Sequence, residues 1–570
     1  MTRGEPNGGP RAGRAGAGQP ITGADRIAAR LAAAGSRFAF GIPGGEVLAL
    51  IDGLHRAGIR FVTTRHETGA GFMAEGTWHA SGGRPRHAPA ILVATVGPGV
   101  ANTVNVVANA QQDRVPMIVL TGCIDPADAA SYTHQVFDHR AVLAPLTKGS
   151  FTLVPGAVDV LVDRAIALAT SDPPGPVHLD VPIAVARSEE PGHERVLTLR
   201  PVPSLAVQAS LSLESDDGDE VFEAADVIAD AERPLILAGL EVIQAHAEDA
   251  LRTFVETTGI PCLTTYKAKG AIDETSPLSL GAAGLSPKAD AILLPLVRDA
   301  DVVVLAGYDP IEMRRGWSMP FSPDTTVIEL CRTPPLHGMH YASAVMLGDF
   351  AHNLASITAL PAYEERWPDG RIEQARRALR DAFAPEPEGL GPLAISHALA
   401  RVLPEDAIVT VDTGAHRIAL SQAFPSRRPR ALLQSSGLCT MGCAIPLAIG
   451  HALADPAHPV VAVVGDGGID MILGELLTAR DLGVPVVIVV IDDASLALIE
   501  MKQRAERLPN VGVDSGRTRY AELARAMGGH GVRVQTIPEL EAALAEGLAR
   551  QGTFTLIHAP IARRAYDGRI

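Results

Sequence analysis

The stretch that most constrains the chain runs from Val460 to Ile499, VVAVVGDGGIDMILGELLTARDLGVPVVIVVIDDASLALI. It opens with an apolar, β-branched run (Val460 to Val464), breaks at Gly465-Asp466-Gly467-Gly468, and continues in a helix-like pattern. A second apolar run, Val484 to Ile491, ends in Asp492-Asp493. Two apolar runs flanking a helical segment predict a βαβ unit with both strands buried in a parallel sheet. Ligands bind at the carboxyl ends of the strands in such a sheet, and here both ends carry acids. Asp466 and Asp493 are 27 residues apart, yet neighbouring parallel strands bring them together. The glycines let backbone N–H groups approach a phosphate, and the helix opening near Ile469 points its positive end at it. Carboxylates beside a phosphate cradle call for a cation between them. Mg²⁺ suits, taking oxygens from carboxylates, phosphates and water. Taken alone, the stretch also fits a plain buried βαβ turn with solvated acids.

A chain of 570 residues has room for about three domains of ordinary size. Its 47% apolar and 20% charged residues supply the cores such domains need. A net charge of −16 argues against nucleic acid or an anionic membrane as partner. Five scattered cysteines (Cys123, Cys262, Cys331, Cys439, Cys443) suit a reducing, cytoplasmic setting. Cys439 and Cys443 share no cluster with histidines, so no zinc site is expected there. Apolar runs of about eight residues are too short to span a bilayer. Residues 1–19 lack the apolar core of a signal peptide and read as a disordered tail.

Strands and helices alternate after residue 20. Helix is expected over Ile21 to Ala34 with Thr22 as its cap, and strands over Phe38 to Gly41, Phe61 to Thr64, Ala90 to Thr95 and Val115 to Thr121. The proline-rich passage Ser171 to Pro182 is expected to end this first domain, 20–190. A linker at 191–220 carries an acidic run. The second domain, 221–360, has strands at Leu235 to Leu240, Pro261 to Thr265, Asp301 to Gly307 and Thr326 to Leu330. A charged linker at 361–390 leads to the third domain, 391–564. The expected fold class is α/β, with three doubly wound parallel-sheet domains.

In order along residues 20 to 560 stand FGIPGGEVL, RHETGAGFMAEG, ATVGPGVAN, NAQQDRVPMIVLTG, SGLCTMG and the GDG stretch. These six blocks resemble the thiamine-diphosphate carboligase family typified by acetolactate synthase. The resemblance implies pyrimidine-binding, central and diphosphate-binding domains, with thiamine diphosphate and Mg²⁺ as cofactors. It implies decarboxylation of a 2-oxo acid such as pyruvate and transfer of the two-carbon unit to an acceptor. The metal ligands it implies are Asp466, Asp493 and the carbonyl of Ser495; the usual closing Asn-Asn of the motif is Asp492-Asp493 here. Gly465, Gly467, Gly468, Thr413, Gly414, Ala415 and His416 map to the diphosphate loops. Gly437, Leu438 and Met441 map to the loop that holds the cofactor bent, and Pro43 to a cofactor-binding position. Glu67 maps to the catalytic carboxyl that shares a proton with N1′ of the aminopyrimidine. Because Glu67 and the GDG turn fall in different domains, the family implies a homo-oligomer with active sites between subunits.

Gln135 and Lys148 map to substrate-side positions. His134 replaces a phenylalanine, as in the carboxyethylarginine synthases of the same superfamily. Lys502 stands where acetolactate synthase has a tryptophan, and Glu46 where a small alanine is usual. AGYDPIEM replaces the arginine-bearing block associated with flavin, so FAD is not expected. With Glu500 and His134, these changes suit a polar or cationic acceptor. The alternative from a different class is a non-catalytic homologue that keeps the fold and binds a partner.

Overall fold

The computed structural model describes residues 21–82, 88–190, 224–358 and 366–570. The expected tail at 1–19 and linker at 191–220 lie outside the described residues. The chain divides into two compact units, Met1–Ala74 with Arg84–Leu199 and Glu75–Gly83 with Arg200–Ile570. The second unit holds two sheets, so three sheets stand in place of the three expected domains.

In the first unit the strands are β1 (Phe38–Gly41), β2 (Arg60–Thr63), β3 (Ala90–Ala94), β4 (Met117–Cys123), β5 (Gly149–Thr152) and β6 (Pro176–Pro182). Their order across the sheet is β2-β1-β3-β4-β6-β5, all parallel. The Gly23–Ala33 helix begins where expected, since Thr22 and Asp25 form a reciprocal capping box. Its Ile27, Ala28 and Leu31 are fully buried in the core beneath the sheet. The proline-rich passage expected to end the domain instead contains β6, which is buried along its whole length between β4 and β5. Its sequence, PVHLDVP, hides the strand because His178 and Asp180 are polar; they are matched inside the sheet. Thr121 Oγ1 donates to Asp180 Oδ1 at 2.6 Å, and His178 bonds Ser150 Oγ at 2.7 Å.

The second sheet contains β7 (Pro234–Ala238), β8 (Cys262–Thr264), β9 (Ser279–Ala282), β10 (Val302–Ala306), β11 (Thr326–Cys331) and β12 (Ala344–Leu347). Its order is β12-β11-β10-β7-β8-β9. The third contains β13 (Ile408–Val411), β14 (Leu432–Gln434), β15 (Val460–Gly465), β16 (Val487–Asp492), β17 (His530–Arg533) and β18 (Thr555–Pro560), in the order β14-β13-β15-β16-β18-β17. β15 and β16, central in that sheet, are buried at every position, as unbroken apolar runs require. Much of the stretch expected as a linker at 361–390 is helix, Arg371–Ala382. Trp367, Ala375 and Phe383 pack into a core shared with Leu393, Ala419 and Ala423. Beyond the expected end at 564, Tyr566 is buried in the core of the third sheet. Among the described residues no helix is long and apolar enough to cross a membrane.

Candidate functional site

In the third sheet β15 and β16 pair with Gly465 opposite Ile491, so the residues after both strands emerge side by side. Gly465 serves as N-cap of the Asp466–Ile472 helix. Asp466 is buried, its Oδ2 accepting from Ser515 Oγ at 2.9 Å. The two acids that close β16 face different ways. Asp492 is locked in place, accepting from Ala494 N–H at 2.9 Å and pairing with His558 Nε2 at 2.9 Å. Asp493 is 3% exposed, and its Oδ2 is buried with no hydrogen-bond partner. Burial and the charge of Asp466 push the Asp493 carboxyl up to about 7. Burial also raises Asp466, with Asp492 and Asp470 adding to it against the Ser515 hydrogen bond. Two buried acids, both raised by burial and by neighbouring carboxylates, are a site short of positive charge.

A cavity of about 140 Å³ opens between these acids. Thr413, Gly414, Ala415 and His416 line it from the loop after β13, and Gly465 to Gly468 from the turn after β15. Met441, Asp493, Ser495, Leu496 to Ile499 and Tyr566 complete the wall. Two polar groups here are buried and unpaired: Thr413 Oγ1 and His416 Nε2. Burial, with Arg417 beside it, lowers the His416 pKa to about 3, so the ring is neutral and offers one N–H or one lone pair. Space requires glycine at 468, where the anchored Asp412 carboxylate fills the room a side chain would need, and crowds 467 less, against movable side-chain ends. A Cβ on Gly468 would lie 1.9 Å from Asp412 Oδ2, and one on Gly467 would lie 2.8 Å from Leu496 Cδ2 and 3.3 Å from Met441 Cε. Unpaired donors, an unpaired carboxylate and a backbone cradle fit a diphosphate held through a divalent cation.

Asp412 anchors the Met441 loop. Fully buried, it accepts from Gly442 N–H and Cys443 N–H, both at 2.9 Å. Arg417 holds the other end of that loop, donating to the Ser435 carbonyl and to Cys439 Sγ. Gly437 and Leu438 lie half-buried between these anchors. Asp412 directly precedes the Thr413–His416 segment, and nothing in the sequence marks it as an anchor. Arg417, Ser515 and Tyr566 carry no local motif, and only the fold brings them in. Lys502 is exposed on the Ala497–Ala505 helix and does not line the cavity. Glu500 is engaged: Ser495 Oγ donates to it at 3.1 Å and Arg564 Nε at 2.9 Å, so it is not free for a cationic ligand.

The first unit gathers its own group at the carboxyl ends of β1, β2 and β3. Glu67 opens the Glu67–Ala80 helix, is 5% exposed, and accepts from Asn102 Nδ2 at 2.9 Å. Asn102 is on the helix that starts at Pro98, and a Cβ on Gly99 of its first turn would lie 3.5 Å from Glu67 Oε1. Gln135, exposed and at φ +60°, packs its backbone on Gly97, whose φ is +69°. Gly97 N–H donates to His139 Nε2 at 3.3 Å, and His139 Nδ1 pairs with Asp180 at 2.9 Å. Against burial, His139, His178 and Thr121 hold Asp180 well below the usual carboxylate range. An ionised Asp180 accepts a hydrogen bond from Nδ1–H and leaves Nε2 as the acceptor for Gly97 N–H, which fixes the Gly97 turn. Glu46 accepts from Thr95 Oγ1 at 2.6 Å beside the same turn, and Pro43 is exposed just after β1. His134 is exposed. Lys148 is not part of the group: it lies before β5, and its Nζ donates to Ser171 O and Oγ at 2.7 and 2.8 Å.

Family models of the thiamine pyrophosphate enzymes match all three parts of the chain: the N-terminal TPP binding domain at residues 21–142, the central domain at 221–357 and the C-terminal TPP binding domain at 412–559. The chain is 32% identical over 551 residues to the probable 2-ketoarginine decarboxylase AruI of Pseudomonas aeruginosa, covering 94% of this chain and 93% of that protein. It is 29% identical over 551 residues to the acetolactate synthase isozyme 1 large subunit of Escherichia coli, covering 95% and 94%. With the acetolactate synthase large subunit IlvB1 of Mycobacterium tuberculosis it shares 30% over 537 residues, 91% of this chain and 84% of that one. With three sheets in place and matches along nearly its whole length, the chain belongs to the thiamine pyrophosphate enzyme family.

Proposed function

We propose that the protein is a Mg²⁺- and thiamine-diphosphate-dependent enzyme that decarboxylates a 2-oxo acid and ligates the remaining fragment to an acceptor, as an acetolactate synthase does. The observation that carries this reading is the pair Asp466 and Asp493, buried and short of positive charge beside the Gly465–Gly468 turn. Thiamine diphosphate supplies, when bound, the acidic carbon that attacks the oxo group and accepts the electrons released with CO₂. Asp466, Asp493 and the Ser495 carbonyl would hold the cation; Thr413, His416 and the glycine turn would hold the phosphates. Met441, propped by Asp412 and Arg417, forms an apolar wall that excludes water. Glu67 holds and returns the proton at the pyrimidine N1′, and Asn102 keeps its carboxyl in place.

Glu67 belongs to one compact unit and the metal pair to the other, which supports a homo-oligomer whose subunits complete one another's centres. All five cysteines are free thiols, which supports a reducing, cytoplasmic setting. No flavin enters the reading. Asp309 occupies the stretch that carries an arginine in flavin-bearing relatives, and it caps its own turn through Ile311 N–H at 3.1 Å. The purified protein should be colourless; stoichiometric flavin absorbance would refute that.

A second reading changes the substrate, not the chemistry: a 2-oxo acid or acceptor with a cationic side chain. Glu46 favours it, a carboxylate beside the Gly97 turn where the family has a methyl group, as does the similarity to a probable 2-ketoarginine decarboxylase. One experiment tests both readings. Apo protein is incubated with a panel of 2-oxo acids, neutral and basic, with and without thiamine diphosphate and Mg²⁺, and products are identified by mass. Cofactor-dependent CO₂ release from any of them supports the enzyme. Acetolactate from pyruvate favours the first reading, and a basic product the second. No turnover across the panel refutes both.

A further inference from the structure

The central sheet holds a cluster that the thiamine chemistry does not use. Glu329 lies inside β11, flanked by Ile328 and Leu330, and is 2% exposed. A carboxylate in a buried parallel strand requires compensation. His340 provides some of it, with Nε2 3.1 Å from Glu329 Oε2 at 5% exposure. His337, three residues earlier, sets its ring 4.6 Å from that of His340, and its Nε2 is buried without a hydrogen-bond partner. One ligating atom from each of the three lies within 4.8 Å of the others.

The connection that carries the histidines is itself unusual. β11 and β12 are parallel, with Ile328 opposite Ala344 and Cys331 opposite Leu347, so residues 332–343 must return the chain along the sheet. Such crossovers ordinarily use a helix. Pro334, Pro335 and Gly338 exclude one, and no helix lies between β11 and β12. The crossover is fastened to the sheet near one end through Ser343 N–H to the Val327 carbonyl at 2.7 Å, and in its middle by the His340 and Glu329 pair.

We propose that Glu329, His337 and His340 bind one divalent transition-metal ion of the zinc class, which clamps this helix-free crossover to the sheet. Two imidazoles and one carboxylate are the donor set such ions prefer, and they disfavour Mg²⁺, which takes oxygen ligands in a near-ideal octahedron. Bonds of about 2.0–2.2 Å in a tetrahedron place ligand atoms about 3.3–3.6 Å apart. His340 and Glu329 already stand at 3.1 Å, and only the His337 ring must swing inward. The metal replaces the proton shared by His340 and Glu329. On His337 the ring proton moves to Nδ1, at the expense of a long 3.4 Å contact from Met339 N–H. Tyr308 and Phe321 pack against His340 and give the site an apolar wall. Three protein ligands leave a fourth position for water.

The test uses the untagged full-length chain carrying Asp466→Ala, which removes the carboxylate site of the third sheet. This protein is equilibrated with Zn²⁺, freed of excess metal and analysed for metal content; Co²⁺ loading is followed by its visible d–d bands. The expected result is one equivalent of Zn²⁺ per chain and tetrahedral-type Co²⁺ absorption. Both should be lost in His337→Gln and in Glu329→Gln. His337 is only half-buried, so His337→Gln should fold, and Glu329→Gln keeps the side chain's shape. Absence of stoichiometric Zn²⁺ in the Asp466→Ala protein overturns the proposal, as does equal uptake by a folded His337→Gln variant.

Discussion

The first and third sheets arrange their six strands in the same order, second-first-third-fourth-sixth-fifth in each one's own count. At the end of the third strand both make a glycine turn that opens a helix: Gly97-Pro98-Gly99 after β3, and Gly465-Asp466-Gly467 after β15. One residue separates their chemistry. Pro98 fits the first turn of a helix, where the N–H it lacks would be unpaired anyway, but it brings no charge. The carboxylate on that side therefore comes from the strand β2 loop, as Glu67, and Asn102 of the Pro98 helix holds it. In the third sheet the acid is in the turn itself, and its partner Asp493 arrives from the neighbouring strand. On the proposed reading the same frame would serve a proton-handling carboxyl on one side and a cation site on the other. A fold of this kind positions groups at strand ends without choosing what they do.

The difference can be broken at either sheet. Glu67→Gln keeps the shape and should leave cofactor binding intact while lowering turnover by about 10²–10⁴-fold. Exchange of the thiamine C2 proton, followed by NMR, should slow in step, and unchanged exchange would remove Glu67 from the proton path. Backbone crowding should separate the two turns next. Gly468→Ala drives a methyl to 1.9 Å from Asp412 Oδ2, whereas Gly99→Ala meets Thr95 Cγ2 at 3.0 Å. The first should cost about 1–3 kcal/mol and the second clearly less, read from urea midpoints. Equal midpoints would mean that Asp412 does not fill the space under the third-sheet turn.

Acid should unsettle the third-sheet side through His416 and His451, which burial lowers to about 3 and about 4. Both are neutral in folded and unfolded chains above the ordinary value near 6.5, so their contribution is complete there. Below it the unfolded chain takes up protons that the fold refuses. Stability should fall with pH from about 6.5 toward 5 by up to about 1.4 kcal/mol per unit for each ring. Unfolding of the apo protein between pH 7 and 5, with and without His451→Gln, reads this slope; an unchanged slope in the variant would discount His451. The smallest effect should come from Asp493→Asn, which keeps an oxygen ligand and restores the amide common in the family. Its activity with Mg²⁺ should stay near that of the parent, and inactivity would mean Asp493 is not the second ligand.

Legibility followed hydrophobic continuity. β15 and β16 read clearly because their sequences are unbroken apolar runs closed by glycine and aspartate, and nearly every cavity residue named from the motifs lines the cavity. β6 did not read, since a buried His178 and Asp180 look like loop residues until their partners on β4 and β5 are known. Tyr566 and Ser515 reach the site from far along the chain with no spacing to mark them. Lys148 and Lys502 took their roles from alignment alone; one donates to Ser171 and the other faces solvent. Glu329 was invisible for a related reason: a single acid in β11 gains meaning only when residues 332–343 fold back over it.

The central claim is that the third-sheet cavity binds a diphosphate through a cation held by Asp466. Calorimetric titration of thiamine diphosphate into apo protein, with and without Mg²⁺, tests it directly, with Asp466→Ala alongside. The account predicts saturable binding that requires Mg²⁺ and is lost in Asp466→Ala. Equal binding without Mg²⁺, or undiminished binding in a folded Asp466→Ala protein, would contradict it.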